Sequence, residues 1–181
     1  MADKYFKWIS DGYYKPGGVL YAPKSITSQI AKDGEEVKYK DVIFTLKDGI
    51  YMPYHYGVGG ANLVDDDLKC VIEKYINEDY PIEFLPVKAQ SEEFGEKRYY
   101  ILHFKAIFDV LDRDNCVYNT FMPKEDSSII LSCLSSNKVS GLHIFNTRKY
   151  INDIIISDEL RKSIKKNKLD IGIEFCRVKC I

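Results

Sequence analysis

No charge of one sign dominates this sequence. Its 26 basic residues are balanced by 27 acidic ones, leaving a net charge of −1, whereas a dedicated nucleic-acid binder shows a basic excess or a long basic stripe. The same balance gives no electrostatic pull toward an anionic membrane. No apolar run approaches the roughly 18 residues of a membrane-spanning helix. The opening Met-Ala-Asp-Lys-Tyr-Phe-Lys-Trp holds no apolar stretch of signal-peptide length. A cytoplasmic protein with no membrane partner is therefore expected, with nucleic acid unlikely as a partner. Cysteine is sparse: Cys70, Cys116, Cys133, Cys176 and Cys180 form no CxxC pair, and such an odd, scattered set reads as free thiols in a reducing compartment. Cys176 and Cys180 would lie roughly 13 Å apart along one face of a strand, too far to share a metal or a disulfide. Histidine is scarcer. His55, His103 and His143 fall in no HxxxH or HExxH spacing, and none pairs with a cysteine at zinc-ligand spacing. Gly57-Val58-Gly59-Gly60 lacks the strand–GxGxxG–helix context and a following Lys-Ser/Thr, and no GxSxG occurs. The expectation is no metal, no cofactor and no enzyme.

What is present is a globular composition. Of the 181 residues, 45% are hydrophobic and 13% aromatic, enough for one domain to build a core without disulfides or metals. The 14 tyrosines outnumber the 9 phenylalanines, so much aromatic surface carries a polar tip. That suits both ordinary sheets and binding faces. Residues 1–40 are interrupted by Lys15-Pro16-Gly17-Gly18 and Ala22-Pro23, which favours turns and irregular strands, with a short helix about Ser25–Lys32. Val42, Phe44 and Leu46 alternate with polar or outward positions up to Asp48-Gly49. Ile50-Tyr51-Met52 follows, so a hairpin with a two-residue turn is predicted here. The helix signal is strongest over residues 65–79, where Leu68, Val71, Ile72, Tyr75 and Ile76 share a face and Asp65, Asp66 and Asp67 supply a cap and first-turn carboxylates. Cys70 falls on its polar face. Ile82–Val87 reads as extended, with Pro86 at an edge or bulge, followed by a polar turn over Ser91–Lys97. Tyr99–Leu111 reads as a central strand that can bend into a second element. Ile129–Leu134 and Leu142–Phe145 suggest a second hairpin. Ile154-Ile155-Ile156 marks a buried strand and Ser157-Asp158-Glu159 a helix start. That helix runs to about Lys168, and a last strand turns Ile171, Ile173 and Phe175 inward. The sum is an α+β fold: one domain, a mostly antiparallel twisted sheet, and two main helices at about 65–79 and 158–168.

Three constellations can carry function. Cys116 with His103 or His143 would make a nucleophile pair, though no local signature marks the cysteine. Arg161, Lys162, Lys165, Lys166 and Lys168 surround a narrow Leu160/Ile164 stripe. That is either a phosphate-binding face or a solvated helix with cations at its negative end and an Asp158/Lys162 pair. Acidic pairs (Glu35/Glu36, Glu92/Glu93, Asp112/Asp114) sit in turn-like segments, where solvated loop charge is the ordinary explanation.

The order of segments after Tyr80 adds a resemblance. Pro81-Ile82-Glu83-Phe84-Leu85-Pro86-Val87 precedes Tyr99-Tyr100-Ile101-Leu102, and Phe108-Asp109-Val110-Leu111-Asp112-Arg113-Asp114-Asn115-Cys116-Val117-Tyr118 follows. Then come Gly141-Leu142-His143-Ile144-Phe145, Ile155-Ile156-Ser157-Asp158-Glu159-Leu160 and Ile171-Gly172-Ile173-Glu174-Phe175. This series resembles the myxobacterial-type immunity proteins of bacterial polymorphic toxin systems, formerly catalogued as a domain of unknown function. The resemblance covers most of 80–178, and residues 1–64 stand apart as a variable, β-rich N-terminal part. Cys116 replaces a serine common in the family after the Asp-rich turn. The resemblance implies a cytoplasmic protein that binds and blocks a cognate toxin domain without catalytic residues of its own. Were the toxin basic, Asp65, Asp66, Asp67, Glu92, Glu93, Asp112 and Asp114 are the residues expected to face it.

Overall fold

The computed structural model describes residues 4–10, 18–22, 42–58, 61–76, 82–125, 128–147 and 153–181. In chain order, the strands are β1 (Tyr5–Ser10), β2 (Val19–Tyr21), β3 (Ile43–Lys47), β4 (His55–Val58) and β5 (Ala61–Val64). Helix α1 (Asp66–Ile72) follows, then the long strands β6 (Ile82–Ser91) and β7 (Gly95–Phe104). Short elements come next: β8 (Val117–Tyr118), β9 (Ile129–Leu131), β10 (Cys133–Leu134), α2 (Ser136–Val139) and β11 (Ile144–Asn146). Finally come β12 (Ile154–Ser157), α3 (Asp158–Lys166) and β13 (Ile173–Cys180). The α+β reading holds, but the strands divide into two main sheets. One has the order β10-β13-β1-β12-β11, the other β2-β3-β6-β7-β5-β4, and β8 and β9 form a small ribbon. Pairing is antiparallel except for β3/β6 and β10/β13.

Alternation sorts the core into three layers. Phe6, Trp8, Ile154, Ile156 and Ile173 leave one face of the five-stranded sheet to meet Leu68, Ile72, Leu160 and Ile164 of the helices and Leu102 and Phe104 of β7. Tyr5, Ile155, Phe145 and Val178 leave its other face and pack under the 110–142 segment. Leu63, Leu85, Val87, Tyr99 and Ile101 point to the far face of the six-stranded sheet, with Leu20, Phe44 and Leu46. Because both faces of β12 are covered, Ile154, Ile155 and Ile156 are all buried, and a continuous apolar run is what such a strand requires.

Both helix starts follow the sequence. Asp65 Oδ1 accepts from Leu68 N at 3.1 Å and Ser157 Oγ from Leu160 N at 3.2 Å, each satisfying an otherwise orphan donor. The ends differ. Helix α1 tightens into a 3₁₀ turn over Glu73–Tyr75, and Ile76 is already extended, so the helix expected over 65–79 stops short, with residues 77–79 outside the described segments. Helix α3 ends at Lys166, and Lys168 takes the left-handed conformation (φ +58°) that closes it. Among the described residues no helix is long and apolar enough to cross a membrane.

Two hairpin expectations fail. Ile50–Met52 forms no strand, because both edges of β3 are occupied by β2 and β6. Asp48 does reach φ +59°, but Gly49 does not join it at positive φ, so the two-residue turn that needs both is absent. The second expected hairpin splits three ways: β9 pairs with β8, β10 with β13 and β11 with β12, with α2 in between. Ile171 precedes β13 and is exposed, while Ile173 points inward as expected. Pro86 fits its edge expectation locally. Lys88 N donates to Val42 O, so the nitrogen two residues earlier faces the same side, beyond the end of the β3 pairing. The short helix expected about 25–32 lies outside the described residues.

Gly18 shows how close β2 and β3 approach. It sits at φ +70°, and a Cβ there would lie 2.6 Å from Gly49 Cα and from the Lys47 carbonyl oxygen. Gly18→Ala should therefore cost about 2 kcal/mol through strain and displaced backbone, read as a lower thermal midpoint. An unchanged midpoint would show that the β2–β3 junction yields freely.

Candidate functional site

The groups able to do chemistry are dispersed over separate elements. Cys116 is buried, its sulfur accepting from Cys133 N at 3.2 Å and donating to Cys133 O at 3.8 Å. His143 Nδ1 lies 3.0 Å from Ser157 Oγ, with its ring edge-on to Tyr75. His103 is buried on β7, opposite Glu83 on β6, whose carboxylate is 3.5 Å away. His55 is buried against Trp8, with Nε2 3.1 Å from Asn62 Oδ1. Burial pushes its pKa down to about 4 against the hydrogen bonds its ring makes to Asn62 Oδ1 and the Gly172 backbone, which favour the protonated form. No hydrogen bond joins a cysteine to a histidine among the described residues, so the Cys116–histidine pair is not assembled. Among those residues no group of three or more His, Cys, Asp and Glu could hold a metal ion.

Three of the five thiols separate cleanly by access, with Cys176 and Cys180 in between. Cys70 is exposed on α1 while Cys116 and Cys133 are buried, and desolvation raises the Cys133 thiol pKa. A maleimide should therefore label Cys70 in the native protein and reach Cys116 and Cys133 only on unfolding. Rapid native labelling of Cys133 would contradict the packing of that layer.

The basic helix is partly neutralised. Asp158 accepts from Arg161 at 2.6 Å and pairs with Lys162 at 2.8 Å, as expected from the i,i+4 spacing. Those cations, Lys162 first, hold the Asp158 pKa below the usual carboxylate range despite some desolvation. Arg161 also stacks on Phe6, 4.2 Å from the ring centroid, and Lys165 reaches Asp170. This arrangement is a solvated amphipathic helix, with Lys166 and Lys168 exposed and in no ion pair among the described residues.

The acidic candidates fall in three places. Asp65 is buried and bound to Lys97 Nζ at 2.7 Å. Asp66 accepts from Arg98 and Tyr100 at 2.9 Å each. Desolvation pulls its pKa upward, but those bonds together hold it low. Asp67 is exposed. Asp112 and Asp114 belong to a 3₁₀ turn at 113–115, where Asp112 accepts from Asn115 Nδ2. Beyond that turn the ribbon exposes Val117, Phe121, Met122, Ile130 and Leu131, Phe121 at 96% of its surface. Ile130 is the extra residue of a bulge between the Val117/Leu131 and Tyr118/Ile129 pairs.

Glu92 and Glu93 occupy the tight turn between β6 and β7. The turn closes on Gly95 at φ +73°, the left-handed residue such a three-residue loop calls for. Because β3 runs parallel to β6, the 45–49 segment lies beside 90–93. The two enclose a half-open groove of about 890 Å³ lined by Thr45, Lys47, Asp48, Gln90 and Glu96 as well as Glu92 and Glu93. Glu96 is paired with Lys88 at 2.7 Å, and Lys47 leans over the Tyr21 ring. Asp48 and Glu96 were not anticipated from sequence, since only the non-local β3/β6 pairing brings them to Glu92 and Glu93. The structure does not bring Asp65–Asp67 or Asp112 and Asp114 into the same groove.

Residues 43–179 match the immunity protein family Imm11. The chain belongs to that family. The match begins well before Tyr80, so this Imm11 member carries β3 and the groove within its family region, along with the 117–131 ribbon. Strands β1 and β2 precede the match, although β1 is the middle strand of the five-stranded sheet. No protein among the curated sequences matches the chain.

Proposed function

We propose that this Imm11 protein neutralises a cognate bacterial toxin domain in the cytoplasm by stoichiometric protein–protein binding, not by catalysis. Membership of an immunity family over residues 43–179 is the observation that carries this reading. The surface is compatible with it. A working interface takes roughly 800 Å² from each partner, less than a tenth of the 10309 Å² the protein exposes. Asp67, Glu92, Glu93, Asp112 and Asp114 remain the acidic residues offered to the toxin. Asp65 and Asp66 are committed to Lys97, Arg98 and Tyr100 and serve the fold first.

The test is protection in living cells. A toxin domain encoded beside this gene is expressed under an inducible promoter, with or without the chain. Growth should be restored only when the chain is present, and equally well by Cys116→Ala. Arrest of growth despite a well-expressed, folded chain would sink the proposal.

A further inference from the structure

The six-stranded sheet is covered by α1 over only half of one face. Phe84, Tyr100 and Leu102 lie under the helix in the shared core, and the Arg98–Asp66 bridge marks where that cover ends. Beyond it the same face carries Val19 and Tyr21 of β2, Ile43, Thr45 and Lys47 of β3, and Pro86, Lys88 and Gln90 of β6, all exposed. Val19, Tyr21 and Ile43 keep 53%, 51% and 41% of their surfaces in solvent, although every other residue of β2 and β3 is buried in the opposite face. Alternation places these three on one side, and the β2/β3 register sets Val19 against Lys47 and Tyr21 against Thr45.

This open face runs straight into the acidic groove, because Thr45, Lys47 and Gln90 belong to both. The negative charge at that end is only partly compensated. Lys88 and Gln90 hold Glu96 below the usual carboxylate range, while Asp48, Glu92 and Glu93 have no ion-pair partner among the described residues. Lys47, the one lysine among the described lining residues, lies over the neutral Tyr21 ring and keeps its charge, so the described lining stays net negative. A flat apolar strip ending in a negatively charged concavity selects a partner of matching order: apolar side chains first, then cationic ones.

We infer that the toxin domain docks on this half-sheet, laying apolar side chains along Val19, Tyr21 and Ile43 and inserting lysine or arginine into the Asp48/Glu92/Glu93 groove. This rests on the immunity reading and adds to it the place of contact and the chemistry of the partner. The docked segment is basic and amphipathic. Its attraction to the groove is electrostatic and therefore weakens with salt, while the apolar strip supplies the area that excludes water around it.

The test uses the full chain, labelled with ¹⁵N, titrated with an extended peptide that carries valines at alternate positions of its first half and lysines at the same-face positions of its second half, with serine between. About ten residues span roughly 33 Å, enough to cover strip and groove together. Amide shifts should gather at Val19–Tyr21, Ile43–Gly49 and Gln90–Glu96, and should be absent with the valine–glutamate counterpart. Charge reversal in Glu92→Lys/Glu93→Lys should weaken binding about tenfold or more while leaving the thermal midpoint in place. Ile43→Asp is a second variant that acts on the strip without touching the groove. Shifts centred on the 117–131 ribbon, equal binding of the glutamate peptide, no binding, or indifference to both variants would each overturn the inference. None of these results depends on the growth assay, so loss of the docking site and loss of the immunity reading are told apart.

Discussion

Asp65→Ala should destabilise the fold by about 3 kcal/mol, measured as a lower urea midpoint with an unchanged slope. Two effects add. Removing the Oδ1 cap from Leu68 N costs about 1 kcal/mol. The rest comes from Lys97, whose Nζ sits 2.7 Å from Asp65 Oδ2 and also donates to the Met52 and Pro53 carbonyls. Breaking a buried pair from one side costs about 3–5 kcal/mol, but Lys97 keeps 31% of its side-chain surface in solvent, so water recovers part of that. Desolvation raises the Asp65 pKa, outweighing the hydrogen bonds from Lys97 and Leu68. The sign follows from linkage: with its folded pKa above the unfolded value, the native state holds this proton more tightly, and the associated stability disappears as pH rises through the folded pKa. Asp65→Asn, which keeps a capping oxygen, should therefore cost clearly less than Asp65→Ala. Equal costs would mean that the cap contributes little and the ion pair nearly everything.

Acid should weaken the protein through His55 before the Asp66 and Asp158 carboxylates titrate. Its pKa falls from 6.5 to about 4 because burial disfavours the imidazolium. A histidine with a depressed folded pKa takes up a proton more readily when unfolded, so stability drops as pH falls from about 6.5 toward 4. Between pH 7.5 and 4.5 the loss is about 2.5 kcal/mol. The Asp66 and Asp158 carboxyls are held below the usual carboxylate range, and their contributions fade only as pH falls further. His55→Gln removes the titration while leaving a polar side chain opposite Asn62. The wild-type midpoint should fall across this window, and the variant's should fall less by that amount. Parallel slopes would show that His55 is solvated or protonated in the native state.

Local signals were the legible part of this fold. Asp65 and Ser157 cap helices because capping depends on the next three residues, and Ile154-Ile155-Ile156 announces a strand buried on both faces. The ends and pairings were less legible because they depend on distant chain. Asp48-Gly49 has hairpin chemistry, yet β3 finds its partners at Val19–Tyr21 and Lys88–Gln90. Cys133 and Leu134 pair in parallel with Lys179 and Cys180, a contact no turn signal encodes. The same limit governed the candidate site. Glu92 and Glu93 stood out as turn carboxylates, but their companions Asp48 and Glu96 emerge only through the parallel β3/β6 pairing. The family resemblance after Tyr80 was visible in an ordered series of short runs, while the family region itself reaches back to residue 43.

The measurement that bears most directly on neutralisation by binding is a titration of the purified toxin domain's own activity with the purified chain, paired with light scattering of the mixture. A stoichiometric inhibitor brings activity down linearly to zero at one equivalent, with a one-to-one complex eluting as a single species. Loss of activity at a small fraction of an equivalent would mean that the chain acts catalytically on the toxin, and full activity at excess chain would mean that it does not act on that toxin at all. Either result would contradict neutralisation by stoichiometric binding.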